Sequence, residues 1–324
     1  MKPICLMLLS VLGLAFATTT MKAEAQSWPT KPIHAVVPVG AGSATDVIAR
    51  LVFEQLSSQI GQTVVVENRT GAGGTIGAAH VAKAAPDGYT LLVYSNAHTI
   101  VPSLYSNLSY DPARDFATVI SLGISPHVLV VSPARGFKTV GDLVAAAKAN
   151  PGALNFSSVG VGTATHLSAE RFRVSAGVDA VHVPYKGGAE AMSEVMAGRV
   201  DFFFGPVALV LPHVQGGKLV ALVVNGAKRS AALLDVPTTS EAGFVEAEYP
   251  IWFGVFAPAK TPRDIIDKLY RETLKALQAP KVRDRLSALG VDPMEMTPTE
   301  LDALVRKEIA ANAALVKAIG IKAE

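Results

Sequence analysis

The chain of 324 residues has little cysteine, few aromatic residues and almost no excess of either charge. Its only cysteine is Cys5, aromatic residues make up 6% of the sequence, and the formal net charge is +2 at pH 7. A single cysteine excludes an internal disulfide framework. Since no basic cluster stands out, nucleic acid and anionic membrane surfaces are not expected partners. The hydrophobic fraction of 50% is enough to build two domains or one large one.

The motifs of nucleotide-binding and acyl-transfer sites are also missing. A phosphate-binding P-loop requires Gly-Lys-Ser/Thr, which does not occur in the chain. The dinucleotide pattern G-x-G-x-x-G fails at Gly71-Ala72-Gly73, because Ile76 occupies the position of the last glycine. It also fails at Gly160-Val161-Gly162, because Thr165 occupies that position. A hydrolase elbow around Ser43 lacks its glycines. The seven histidines have no spacing typical of a metal site. We therefore expect no catalytic residues, no metal and no cofactor.

Residues 1–25 have the pattern of an export signal. Lys2 precedes the apolar stretch from Ile4 to Ala17, and Ala23-Glu24-Ala25 matches the A-x-A pattern of a cleavage site. The apolar stretch is too short for a comfortable membrane span. We expect a periplasmic protein whose mature chain begins near Gln26.

The rest of the chain alternates strand-like and helical segments. The strand-like runs are 33–37, 63–67, 90–94, 127–132, 153–157, 180–183, 200–204, 218–224 and 251–257. Helical patterns such as that of residues 47–60 lie between most of them, and after Pro258 only helical patterns follow. This alternation predicts an α/β fold of parallel β-α-β units. The strands 127–132 and 251–257 are the expected crossings between two lobes.

Glycine-containing loops join strand to helix at three places. The first follows the strand 33–37, the second spans Gly160 to Thr165, and the third contains Tyr185. At such junctions the first N–H groups of the helix lack intrahelical partners and lie at the positive end of its dipole, so they suit an anion. Ser43 and Asp46 also fit a capping box. The alternative is that these loops only cap their helices.

A series of short blocks resembles one family throughout the mature chain. In chain order they are Lys31-Pro32-Ile33, Val36-Val37-Pro38 with Gly42 and Thr45-Asp46, 65–69 with 71–74, 85–90, Tyr110-Asp111-Pro112 with Asp115-Phe116, 182–187, 227–230 and 235–238. Each block is weak by itself, but the ordered set resembles the Bug receptors, the periplasmic solute-binding proteins of tripartite tricarboxylate transporters.

The resemblance implies a two-lobed periplasmic-binding-protein fold of the Venus flytrap kind, type II-like, with a ligand cleft between the lobes. It implies a first lobe of residues 26–127 and 250–324 and a second lobe of residues 128–249. Such receptors hold organic acids largely through loop backbone and bridging water. That fits this chain, because neither of its two main loops contains Arg or Lys.

The candidate ligand-binding residues come from these loops and from nearby strand ends. They are Val39, Gly40, Ala41, Gly42, Ser43, Asp46, Ser95, Gly160, Val161, Gly162, Thr163, Thr165, Tyr185 and Gly205. Ser95 and Tyr185 have the alternative of loop-stabilising or packing roles. His166, in the first turn of a helix, is expected to pack or cap and not to bind ligand.

Three positions depart from the family pattern. Relatives commonly carry Phe where this chain has Val39, Asn where it has Val161, and Asp where it has Gly205. An aspartate at position 205 could hold an ammonium group, so its absence argues against an amino-acid ligand. The departures predict a carboxylate with an apolar or aromatic body.

The expected function is therefore an extracytoplasmic receptor that delivers an organic acid to the membrane subunits of a transporter and acts as a monomer. One alternative is a periplasmic binding protein that senses its ligand for a signalling system. The other is an exported α/β enzyme. The sequence does not separate transport from sensing.

Overall fold

The computed structural model describes residues 28–185 and 187–320. The predicted export signal lies outside the described residues. The strands are β1 (Ile33–Val37), β2 (Val64–Asn68), β3 (Thr90–Ser95), β4 (Phe116–Ser125), β5 (His127–Val131), β6 (Leu154–Ser158), β7 (Ala180–Pro184), β8 (Phe202–Pro206), β9 (Val220–Val224) and β10 (Ile251–Pro258). The helices are α1 (Ala44–Ile60), α2 (Thr75–Ala82), α3 (Ala97–Leu104), α4 (Val140–Ala149), α5 (Ala164–Ala176), α6 (Gly188–Met196), α7 (Val207–Gln215), α8 (Arg263–Gln278), α9 (Pro280–Ala288) and α10 (Pro298–Ile319).

The strands form two five-stranded sheets of the same design. Sheet 1 has the order β2-β1-β3-β10-β4, and sheet 2 has the order β7-β6-β8-β5-β9. The first three strands of each sheet are parallel, while β10 and β5 run antiparallel to both of their neighbours. The prediction of parallel units throughout is therefore wrong. A parallel neighbour needs a helical crossover, but β5 follows directly from β4 of sheet 1, and β10 returns to sheet 1 from sheet 2.

Helices cover both sheets with their apolar faces. In α1 the buried side chains include Ile48, Val52 and Leu56, which recur at helical spacing against sheet 1. The helix begins after the N-cap Ser43 and ends at Gly61, which is left-handed with φ 68°. The predicted helical pattern of residues 47–60 is thus confirmed, with three more residues at its start.

Helix α3 and strand β4 are among the elements that the sequence analysis did not predict. Helix α3 contains Pro102, a residue that normally indicates a helix end. Strand β4 contains Ser121, Gly123 and Ser125 among its apolar residues, which obscures the strand pattern. Ile100 of α3 packs where the two halves of the molecule meet, and β4 leads directly into β5 of the other sheet.

The two halves meet in an apolar seam, and a polar junction is buried in the half that carries sheet 2. The seam consists of Ile100 of α3, Leu167 of α5, Val316 of α10 and Tyr249, which lies just before β10. At the junction, the Asn225 side chain accepts from the His127 backbone N–H at 2.7 Å and donates to Ser168 Oγ at 2.9 Å and to the Tyr249 carbonyl at 3.0 Å. No helix in the part of the chain that the structure describes is long and apolar enough to span a bilayer.

Candidate functional site

The first two glycine loops occupy equivalent positions in the two sheets. One leads from β1 into α1 and the other from β6 into α5, and β1 and β6 are each the second strand of their sheet. Gly42 has φ +79° and Gly162 has φ +75°, left-handed values that favour glycine. Ser43 and Thr163 follow as N-caps in extended conformation. The structure therefore presents two matched helix N-termini at the carboxyl ends of parallel strands, where open α/β sheets bind ligands.

The first loop is held in shape by Asp46 and Asn68. A carboxylate oxygen of Asp46 accepts from the Gly42 N–H at 2.9 Å, and the other accepts from Asn68 Nδ2 at 2.9 Å. Asn68 Nδ2 also donates to the Val39 carbonyl at 3.0 Å, and Arg50 Nε donates to Asp46 Oδ1 at 3.1 Å. Since its oxygens are bound inside the loop and only 3% of the residue is exposed, Asp46 shapes the loop.

The charge state of Asp46 agrees with this role. Burial alone would raise the pKa of Asp46, but hydrogen bonds from Arg50, Gly42 and Asn68 outweigh it and hold the pKa below its ordinary value. The predicted capping box is present only in part. Ser43 Oγ accepts from the Asp46 N–H at 3.3 Å, whereas the Asp46 side chain binds the N–H of Gly42 and not that of Ser43.

The second loop is held by hydroxyl groups and an imidazole. The Gly162 N–H donates to His166 Nδ1 at 3.1 Å. Thr163 Oγ1 donates to the Gly160 carbonyl at 2.7 Å, and Thr165 Oγ1 accepts from the Val159 N–H at 3.0 Å. The expectation that His166 packs or caps is confirmed by this bond and by its 1% exposure.

These internal bonds decide which donors remain for a ligand. The N–H groups of Gly42 and Gly162 are engaged by Asp46 and His166. Among the described residues, no acceptor binds the N–H groups of Ala44 and Thr45 in α1, or those of Ala164, Thr165 and His166 in α5. The first turns of the two helices, and not the loop glycines, therefore carry the open donors.

The other predicted site residues lie in different surroundings. Ser95 ends β3, is 6% exposed, and its Oγ accepts from the Ala97 N–H at 3.3 Å. The Tyr185 N–H donates to the Ser158 carbonyl at 2.9 Å, and its half-buried ring packs against the core of sheet 2. Both therefore take part in local structure beside the loops.

Gly205 lies inside β8 and not beyond its end. It is buried opposite Val128. A Cβ at this position would lie 2.6 Å from Phe203 Cε1 and 2.7 Å from Val210 Cγ1. A side chain at position 205 would therefore require Phe203 and Val210 to move.

The second loop also touches the half of the molecule that carries sheet 1. A Cβ added to Gly162 would overlap Leu104 Cδ1, at the end of α3. Val161 beside it is 49% exposed. The loop is thus in contact with α3, while the side chain of Val161 stays open to solvent.

Sequence reasoning missed the roles of Asn68 and Arg50. The segment that contains Asn68 is one of the family-like blocks, but no role in the first loop was predicted for either side chain. The available signal for Asn68 was an amide side chain at the end of an edge strand, where it could donate to carbonyl groups of a neighbouring loop. The partner Val39 lies 29 residues away, so local patterns do not reveal this contact.

Two cavities are lined by residues outside the two glycine loops. One cavity of about 410 Å³ lies between β4, α8 and α9, and another of about 410 Å³ lies beside α2 and residues 104–110. Neither is lined by the predicted site residues. Within residues 28–185 and 187–320, no three His, Cys, Asp or Glu side chains are grouped as metal ligands.

Comparisons with known proteins agree with this geometry. Residues 48–321 match the family described as "Tripartite tricarboxylate transporter family receptor". Protein BugT of Bordetella pertussis is 36% identical over 319 residues, which cover 97% of this chain and 98% of BugT.

Two solved structures are similar over nearly their whole length. "R. palustris Rpa4515 with adipate" is 34% identical with a TM-score of 0.81, covering 92% of this chain and 100% of that one. "Structure of periplasmic binding protein BugD" is 33% identical with a TM-score of 0.79, with the same coverage. Together with the two sheets, these likenesses confirm the predicted α/β fold of periplasmic binding proteins and the resemblance to Bug proteins.

Proposed function

Because the chain belongs to the tripartite tricarboxylate transporter receptor family, we propose that it is a periplasmic receptor that captures a small organic acid between two lobes. The observation that carries the proposal is the matched pair of helix N-termini, with open N–H groups at Ala44–Thr45 and Ala164–His166. Such groups hold a carboxylate without an arginine or lysine. The proposed lobes are residues 26–127 with 250–324, and residues 128–249.

The proposed site consists of the two loops and their first helical turns. Its residues are Val39, Gly40, Ala41, Gly42, Ser43, Gly160, Val161, Gly162, Thr163 and Thr165, with Ser95 and Tyr185 beside them. Asp46 shapes the first loop, and Gly205 lies outside the site because it is buried in β8. A ligand that binds both loops favours the closed arrangement of the lobes.

The ligand is proposed to be a carboxylate with an apolar body. Val161 places an exposed apolar side chain on the second loop. The adipate named with Rpa4515 has such a body between two carboxylates. We propose that this receptor passes its ligand to the membrane subunits of a transporter and performs no chemistry on it.

A thermal-shift screen tests the proposal. The panel contains adipate, benzoate, glutarate, succinate, glutamate and aspartate. A ligand at 100 times its Kd stabilises the folded state by about 2.7 kcal/mol, a clear rise in melting temperature. We expect adipate or benzoate to stabilise most, and glutarate and succinate to stabilise more than the matching amino acids. A preference for glutamate or aspartate would contradict the ligand class, and turnover of a bound acid would contradict the receptor function.

A further inference from the structure

The two loops are held by equivalent hydrogen bonds. The acceptor is a charged carboxylate in the first loop and an imidazole in the second. In each loop the N–H of a left-handed glycine donates to a side chain four residues later, which lies in the first turn of the helix. Gly42 donates to Asp46 Oδ2 at 2.9 Å, and Gly162 donates to His166 Nδ1 at 3.1 Å. Both acceptor atoms are two bonds from Cβ, so an aspartate carboxylate and an imidazole occupy corresponding places.

The hydrogen bond determines the protonation of His166. Nδ1 accepts the Gly162 N–H, so it carries no proton, and the neutral ring holds its proton on Nε2. The groups that face the ring are Phe156 of β6, His182 of β7, and Glu170 and Arg173 of α5 itself. His182 is stacked on His166 with ring centroids 3.9 Å apart, and Glu170 Oε1 lies 3.7 Å from Nε2.

These surroundings keep the ring neutral over the range in which an organic acid is ionised. Burial, followed by the charges of His182 and Arg173, lowers the pKa of His166 to about 3. Burial also lowers the pKa of His182 to about 4. In the first loop, by contrast, Asp46 is ionised and paired with Arg50 at 3.0 Å.

We propose that His166 is the positioning residue of the second loop, and that its uncharged ring makes the N-terminus of α5 the end of the site that receives the ligand's carboxylate. This inference rests on the proposed function. The Asp46 carboxylate lies in the first turn of α1, where it offsets the positive end of the helix dipole. The first turn of α5 contains no acidic residue, and three of its N–H groups are open, against two in α1.

Ring-nitrogen NMR tests the positioning role without any ligand. In protein with 15N-labelled histidine we expect His166 to show an unprotonated Nδ1 and a protonated Nε2 from pH 7 to pH 5. We also expect a correlation between Nδ1 and the Gly162 amide across their hydrogen bond. A His166 that titrates near its ordinary pKa, or that carries its proton on Nδ1, would overturn the proposal.

Adipate binding to a matched pair of variants tests the electrostatic part. Asn and Asp both offer an oxygen at the position of Nδ1, and they differ in charge. We expect His166→Ala to lose adipate binding, His166→Asn to restore it to within about threefold of wild type, and His166→Asp to bind at least about tenfold more weakly than His166→Asn.

The outcomes separate the two proposals. Equal adipate affinity of His166→Asn and His166→Asp would overturn the charge assignment, and wild-type affinity of His166→Ala would overturn the positioning role. Wild-type protein that binds no acid of the panel would refute the proposed function, while the NMR result would still decide the role of His166. If His166→Asp does not fold, the comparison of His166→Ala with His166→Asn and the NMR titration remain decisive.

Discussion

At the residue scale, the shape of the first loop depends on Asn68, a side chain on the neighbouring strand. Asn68 Nδ2 donates to the Val39 carbonyl and to Asp46 Oδ1, and its Oδ1 accepts from Arg50 at 3.0 Å. Asn68 therefore connects the start of the loop, the first turn of α1 and the end of β2. This contact explains how a loop of small residues keeps a defined shape.

Replacing Asn68 should destabilise the protein and weaken ligand binding together. Asn68→Ala removes hydrogen bonds to one backbone carbonyl and two charged groups, so we expect the free energy of unfolding to fall by about 1–3 kcal/mol. Urea denaturation and adipate calorimetry measure the two effects. The control is Arg69→Ala, which removes an exposed ion pair to Glu67 at 3.3 Å, worth at most about 1 kcal/mol. Equal effects of the two variants would contradict the role of Asn68.

Gly42 and Gly162 have similar left-handed φ angles, but replacing each of them by alanine should have a different effect on stability. A Cβ at Gly42 meets nothing within 4 Å, whereas one at Gly162 meets Leu104. Gly42→Ala should cost about 1–2 kcal/mol from left-handed strain alone. Gly162→Ala should cost more, and the double variant Gly162→Ala with Leu104→Ala should show a favourable coupling energy in a double-mutant cycle. Denaturant melts of the four proteins measure this. Strict additivity would mean that α3 and the second loop do not touch in solution.

At the scale of elements, α10 is bound to α3 and to β10 through the carboxyl group of a half-buried glutamate. Glu308 Oε1 accepts from Trp252 Nε1 at 2.9 Å, and Oε2 lies 3.1 Å from Thr99 Oγ1. Burial raises the pKa of Glu308 above its ordinary value, although the bonds from Trp252 and Thr99 oppose that shift. The C-terminal helix is thus attached by a group that binds a proton more tightly in the folded state than in the unfolded chain.

This shift makes stability fall as the pH rises from the ordinary carboxyl pKa through the raised pKa of Glu308, because over that window the folded state binds more protons. Glu308→Gln keeps an acceptor for Trp252 and removes the charge. We expect the Gln variant to melt no lower than wild type at pH 7 and to lose this part of the pH dependence. Melting curves from pH 4 to pH 8 measure it, with Glu308→Ala as the control that also loses the bonds. A lower melting temperature of the Gln variant at pH 7 would contradict the expectation.

At the scale of the whole molecule, the polar junction at Asn225 ties the returning chain to sheet 2. Its side chain binds the backbone of His127 at the start of β5, the hydroxyl of Ser168 in α5 and the carbonyl of Tyr249 just before β10. Asn225 is fully buried. The point at which the chain leaves sheet 2 is therefore specified by one amide group.

Removing that amide should destabilise the molecule more than any exposed asparagine does. Asn225→Ala leaves the buried His127 N–H without its side-chain acceptor and leaves the Tyr249 carbonyl with only its bond from Ser168 Oγ, so we expect a loss of about 1–3 kcal/mol in the free energy of unfolding. The control is Asn107→Ala, an exposed position whose change should stay within about 0.5 kcal/mol. Calorimetry of both variants measures it. A small effect at Asn225 would contradict the role of this amide in holding the returning chain to sheet 2.

Interactions between residues close in the chain were accessible from the sequence. Helix α1 and the glycine loops before α1 and α5 were predicted, because helical period and capping involve residues a few positions apart. The ordered family-like blocks, each also a short segment, predicted the fold through their resemblance to one family. Each of these features is written in a short segment, so the sequence by itself determines it.

Features that join distant segments were decided only by the tertiary structure. The antiparallel direction of β5 and β10 depends on the sheet from which the chain arrives, which no periodicity records. The burial of Gly205 depends on Phe203 and Val210 filling the space of a Cβ. Asn68 reaches Val39 and the second loop meets α3 only because folding brings these segments together. Strand alternation and helical period indicate which face of an element is apolar, but not which segment packs against that face. The contacts named here depend on that packing partner.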